Sequence, residues 1–204
     1  MSSSSSQRFI RCMYAVSLLL VLNSCQGIAS LLYGVEKPKV IDSDELLEAA
    51  RSIDLDTSKV YSLTYDGFID RTFKNGRSTV NIEIFNDEGY LVLPNDSTIL
   101  NCTGRIANYL KTLDNPEYYY LSDSIMVQDY LQGLVTFDGT PLDTLPLDNA
   151  DFTAVINWAR YAGKLNNEIG TWTEVIHEHD SVNFNIIYVN LDLQEFWGDV
   201  PMLK

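Results

Sequence analysis

Of the three cysteines in this chain, one stands where a thiol can do chemistry. Cys102 lies in "NCTG", residues 101 to 104, directly ahead of an apolar-periodic segment that begins at Thr103. A helix N-terminus presents unpaired N–H groups and partial positive charge, which favour thiolate over thiol and make such a cysteine a candidate nucleophile. The competing reading is a buried, inert cysteine packed as a small hydrophobe. A second cluster is "HEH", His177 to His179. On a helix, residues i and i+2 point about 200° apart, so these two imidazoles cannot chelate one ion, and spacing implies no third ligand. They read as a solvated helix end. No phosphate-cradling Gly loop, Ser/His/Asp set or paired-carboxylate motif is recognisable, so neither cofactor nor metal is expected.

The elements that must position these residues follow from periodicity. "TGRIANYLKTL" from Thr103 aligns Ile106, Leu110 and Leu113 at helical spacing. Before it, "TVNIEIFNDEGYLVL" places Val80, Ile82 and Ile84 on one strand face, turns at Asn86 to Gly89 and returns through Leu93, a β-hairpin. "DSDELLEAARSI" carries Asp42 or Ser43 as N-cap and Leu46, Leu47, Ala50 and Ile53 on one face, a helix. "KVYSLTY" alternates as a strand, and "DGFIDRTFKNGRS" carries two Gly turn signals. Residues 114 to 131, with the triplet Tyr118 to Tyr120, read as a partly buried loop or short helix. "GLVTFDGTPLDTLPLDN" reads as a strand, an Asp-Gly turn and a second short strand. "DFTAVINWA" and "FNIIYVNLD" are buried strands flanking a helix, "AGKLNNEIGTWTEVIHEHD", with Leu165, Ile169, Trp172 and Ile176 on one side. Strand, helix, strand at this spacing is a βαβ unit, hence an α/β sandwich.

The N-terminus stands apart from that fold. Arg8 and Arg11 precede the apolar run "MYAVSLLLVL", too short to span a bilayer as a helix of about 20 residues. It has the form of a signal peptide. The run ends in "LNSC", Leu22 to Cys25, which resembles the bacterial lipobox: an aliphatic residue, two small or tolerated residues, then the cysteine that receives the lipid. The expectation is a lipoprotein signal peptide over residues 1–24, a lipidated Cys25 with a tether over 25–41, and one α/β domain over 42–204. The 204 residues suffice for one core. Gln26 after the cysteine leans toward the outer rather than the inner membrane by resemblance to sorted lipoproteins. Cleavage would remove Arg8 and Arg11, so the net charge of −14 becomes −16. With no basic block to offset it, nucleic acid is not an expected partner. Cys12 would leave with the signal and Cys25 would be consumed by lipid. Cys102 alone then has no internal disulfide partner, so stability must come from packing.

The region from Phe137 to Asp192 resembles the thioredoxin superfamily, and most of all its membrane-tethered redoxin branch. The ordered matches are Phe137, Gly139 and Leu142, then Trp158 and Ala159, Tyr161, Glu168, and Asp192 closing "IIYVNL". The departures all fall on the chemistry. The position of the family's nucleophilic cysteine holds Ala162, that of its resolving cysteine Leu165, and that of a buried acid Ile156. What this implies is a fold kept for shape with its redox groups lost. The hairpin and closing helix that the family places after its third strand occur upstream here. The implied architecture is therefore a thioredoxin-like three-layer α/β sandwich, circularly permuted, in which residues 78–113 complete the sheet that 133–192 begin. By the same resemblance the partner-binding face would be Trp158, Tyr161, Ala162 and Gly163. The function expected is a redox-inactive envelope lipoprotein that binds a protein or peptide. A single-thiol enzyme using Cys102 and a purely structural lipoprotein are the rival readings.

Overall fold

A computed structural model describes residues 32–74, 79–101 and 103–199. In chain order these form β1 (Val40–Ile41), α1 (Ser43–Ser52), β2 (Val60–Leu63), α2 (Tyr65–Ile69), β3 (Asn81–Asn86), β4 (Tyr90–Pro94), α3 (Thr103–Leu110), β5 (Tyr119–Met126), α4 (Val127–Tyr130), β6 (Leu134–Thr136), β7 (Phe152–Trp158), α5 (Asn167–His177), β8 (Phe184–Asn190) and β9 (Leu193–Gln194). A wide π-helical turn, Asp70–Lys74, continues α2.

Every residue of β7 is buried, as its unbroken apolar run requires of a strand covered on both faces. It pairs parallel with β8, in register from Phe152↔Phe184 to Trp158↔Asn190. It pairs antiparallel with β3 from Asn81↔Asn157 to Asn86↔Phe152. The seven-stranded mixed sheet runs β5-β4-β3-β7-β8-β2-β6, while β1 and β9 form a separate parallel pair. Strand 81–86 thus shares one sheet with 152–158 and 184–190, as the sequence reading expects.

Two cores lie on opposite faces, because alternate residues of a strand point to opposite sides. One takes Ile82, Ile84, Ile156, Trp158 and Tyr188 from the sheet and packs them against Leu46 of α1, Ile106 and Leu110 of α3, and Ile169, Trp172 and Ile176 of α5. The three apolar helix faces read from spacing therefore lie on the same side. The other core holds Phe85, Val155 and Ile187 under Phe68 of α2 and Val127 and Tyr130 of α4. The molecule is a mixed α/β fold with helices on both faces of its sheet.

Four expectations change. Residues 65–74, read as turns, are helical: Thr64 caps α2 through its Oγ1, which accepts from Gly67 N–H at 3.2 Å, and Phe68 is buried. Gly67 is there for close approach, since a Cβ would stand 3.2 Å from the Gly133 Cα. Residues 119–126, read as loop or helix, form a sheet-edge strand whose partial exposure on both sides leaves no apolar alternation to read. The second strand after the Asp138-Gly139 turn shrinks to a single bridge, Val135↔Pro141. Val40 and Ile41, read from sequence as the end of a tether, pair instead with β9, and Ile41 is buried. Among the described residues, no helix is long and apolar enough to cross a membrane.

Candidate functional site

The turn after β7 is built from backbone groups that the strand leaves unpaired. The Ala159 carbonyl accepts from Ala162 N–H at 3.0 Å and from the buried Asn166 Nδ2 at 2.8 Å. Arg160 N–H donates to Asp192 Oδ2 at 2.7 Å, tying the turn to the end of β8. Gly163 then takes φ 57°, ψ −129°, a region essentially closed to residues with a Cβ. That break moves the start of α5 to Asn167, five residues beyond the expected start at Ala162.

The N-terminal segment closes this turn from outside. Glu36 N–H donates to the Tyr161 carbonyl at 2.8 Å. A Cβ on Gly163 would stand 2.4 Å from the Gly34 carbonyl oxygen and 2.5 Å from that of Tyr33. Trp158 is 0% exposed and Ala162 1%, so the expected binding face has no surface at either. Trp158 belongs to the core because β7 directs it to the face covered by α1, α3 and α5. Tyr161 is half-buried, its hydroxyl 3.4 Å from Thr79 Oγ1. The structure places Trp158 in the core, while Tyr161 and Gly163 form the seat of the chain's own strap.

Asp192, which holds the turn at Arg160, is a buried carboxylate, 1% exposed. Its Oδ2 also accepts from Asn190 Nδ2 at 2.9 Å. Desolvation raises its pKa, against the opposing pull of Arg160 N–H and Asn190.

On the opposite face the buried Arg71 donates to Asn157 Oδ1 at 2.9 Å and to the Tyr130 carbonyl, and lies 4.2 Å over the Tyr130 ring. Asn157 in turn donates to Asn81 Oδ1 at 2.7 Å and the Tyr130 hydroxyl at 3.1 Å. This network fastens the π-helical turn to the sheet. The readable signal was Asn157, a polar residue inside an apolar run, which needs buried partners.

One surface open to solvent lies at the β5 end of the sheet. Asn95 N–H donates to the Tyr118 carbonyl at 3.1 Å and Asn95 Nδ2 to that of Glu117 at 2.7 Å. These bonds hold the start of β5 beside a cleft of about 330 Å³ lined by Asn95, Ile99, Arg105, Asn108, Tyr109 and Tyr118. Tyr109 is 5% exposed and its hydroxyl has no partner among the described residues; burial pushes its pKa up. Arg105 donates to Thr98 Oγ1 at 3.1 Å. Hydrogen bonds from Thr98 hold the Asp96 carboxylate below its usual range. Outside the cleft, Tyr118, Tyr120 and Leu121 are 54%, 51% and 46% exposed.

Cys25 and Cys102 lie outside the described residues. His177 ends α5, and the His179 ring packs 5.9 Å from that of Phe184. Among the described residues no group of His, Cys, Asp or Glu could hold a metal ion. Comparison with protein-family models, with curated proteins and with solved structures finds no match.

Proposed function

We propose that this chain is a lipid-anchored envelope protein whose thioredoxin-like domain, permuted in strand order and without redox chemistry, serves as a binding module for a protein or peptide. The observation that carries the domain reading is the joining of two distant segments in one sheet. β3 runs antiparallel to β7, β7 runs parallel to β8, and α3 and α5 pack on one face. A thioredoxin-like unit needs that set of neighbours, with its hairpin and closing helix here supplied from upstream. Loss of the chemistry follows from residue types. Dithiol exchange requires an attacking thiolate and a second thiol to resolve the mixed disulfide, and positions 162 and 165 are Ala and Leu.

The envelope reading rests on residues 1–25: two arginines, a short apolar run and "LNSC" ahead of Gln26. Lipid on Cys25 would add about 0.8 kcal/mol per buried CH₂, so several chains anchor the protein durably, in the outer membrane by the Gln26 lean. Two measurements test the proposal. Mass spectrometry of the protein from its host should find an acylated Cys25 as the first residue; a retained signal or an unmodified start elsewhere overturns the anchor. Insulin reduction should stay at the reductant-only background with or without Cys102→Ser. Turnover that Cys102→Ser abolishes would replace the binding module by a single-thiol enzyme.

A further inference from the structure

The two edges of the sheet are finished differently. At one, β6 is three residues long, and the turn from Thr136 to Thr140 folds back over it with Thr140 N–H on Thr136 Oγ1 at 2.9 Å and the bridge Val135↔Pro141 beyond. At the other, β5 ends the sheet; it pairs regularly with β4 over Tyr119 to Ser122, and the register then shifts before Met126. The bond from Asn95 N–H to the Tyr118 carbonyl sets the antiparallel alternation, in which Tyr120 faces Leu93 and Tyr119 faces Pro94, a residue with no N–H to give. The N–H and C=O groups of Tyr119 and Leu121 therefore point away from β4. Edges are commonly protected by Lys, Pro or a covering loop, and residues 119–126 contain neither Lys nor Pro.

Charge indicates what such an edge would take. From Thr112 to Tyr130, the segment that carries β5, the chain has four acidic residues and no Lys or Arg; the nearby Arg105 lines the cleft and donates to Thr98. Glu117 and Asp123, both exposed, flank the regular part of β5. A second copy of this chain would bring the same acids against them and raise the repulsion. An extended segment rich in Lys or Arg would relieve it. The cleft at the start of β5 adds a receptacle for one apolar or aromatic side chain, with the buried Tyr109 hydroxyl, which has no partner among the described residues, in its wall.

We propose that β5 is a docking edge that accepts a basic, extended segment of a partner protein as an eighth strand, with one of its side chains seated in the Tyr109–Tyr118 cleft. The pairing hydrogen bonds are sequence-independent, and selectivity comes from charge and from the cleft. This inference rests on the binding-module reading and names that module's site and partner chemistry.

The test uses the full chain in detergent and a fluorescein-labelled ten-residue peptide of alternating Lys and Val, with alternating Glu and Val as its counterpart. Anisotropy should show the basic peptide binding, the acidic peptide not binding, and the basic complex weakening as salt rises. Leu121→Pro removes an outward N–H at an edge position where Pro is tolerated, and should weaken the complex by about tenfold or more. Should Leu121→Pro fail to fold by circular dichroism, Glu117→Lys with Asp123→Lys decides: it leaves the backbone intact and must reverse the preference between the two peptides. No peptide binding, equal binding of both peptides, or binding unaffected by the variants overturns the proposal, as does a β5-dependent dimer of the chain. Envelope capture separates the two levels. A partner held equally by wild type and Leu121→Pro keeps the module and removes this edge; no partner and no peptide removes both.

Discussion

Gly163 and Asp192 are the two residues in which the local chemistry of the turn is concentrated. At Gly163 an added methyl group meets both a forbidden backbone region and the carbonyls of Tyr33 and Gly34. Gly198 has φ 66°, with open space where its Cβ would be. Gly163→Ala should therefore cost about 1–3 kcal/mol in urea unfolding, and more than Gly198→Ala, which bears the backbone cost alone. Equal losses would mean that the strap yields freely. For Asp192 the sign is set by burial. The folded pKa lies above the unfolded value of about 3.9, so the folded state binds more protons between the two. The contribution to stability is full below the unfolded pKa and declines as pH rises through the folded one. Asp192→Asn keeps an oxygen to accept from Arg160 N–H and should flatten that part of the stability-against-pH curve. An unchanged slope would assign the dependence to other groups.

At the scale of elements, the turn from Arg160 to Asn166 and the strap over it form one unit. Restoring cysteines at Ala162 and Leu165 should not restore a reactive pair, because position 162 is buried and backbone from Tyr33 to Glu36 lies across the turn. Titration of the double variant with an aromatic disulfide reagent should show the thiol at 162 reacting far more slowly than a free surface thiol, and fast reaction would show the strap to be open. Helix α1 is held at its start by Asp42 Oδ1, which accepts from Glu45 N–H at 2.8 Å. Asp42→Ala should cost about 1 kcal/mol by urea denaturation. A cap at Asp42 or Ser43 was legible from the short polar side chains ahead of the apolar face, and the structure selects Asp42. The strap was not, since "YGVEKPK" has the composition of a linker and docks through its backbone.

Across the whole molecule, strands β3, β7 and β8 supply side chains to both cores in alternation. Val155 faces one core while Ala154 and Ile156 face the other. Neither layer can lose its packing without exposing the sheet that supports the second. The protein should therefore unfold in a single transition with coincident tryptophan fluorescence and far-ultraviolet circular dichroism. Phe85→Ala on one face and Leu110→Ala on the other should each lower that one midpoint, by about 2–5 kcal/mol of stability. Two separated transitions would show that the halves of the chain fold independently.

Regularly spaced apolar residues determined much of this protein by themselves. The faces of α1, α3 and α5, the hairpin β3–β4 and the buried pair β7–β8 all follow from one-sided burial, which imposes periods of 3.6 and 2 on the chain. The joining of β3 to β7 was approachable from sequence only through the resemblance of two separated segments to parts of one unit. Tertiary structure alone decided which surfaces remain open. Tyr161 and Gly163 carry nothing in their residue types to show that Tyr33–Glu36 would lie across them, because backbone carbonyls and N–H groups are common to every residue. β5 was hidden for the opposite reason: an edge strand exposed on both faces has no burial period, and only its pairing with β4 marks it as a strand.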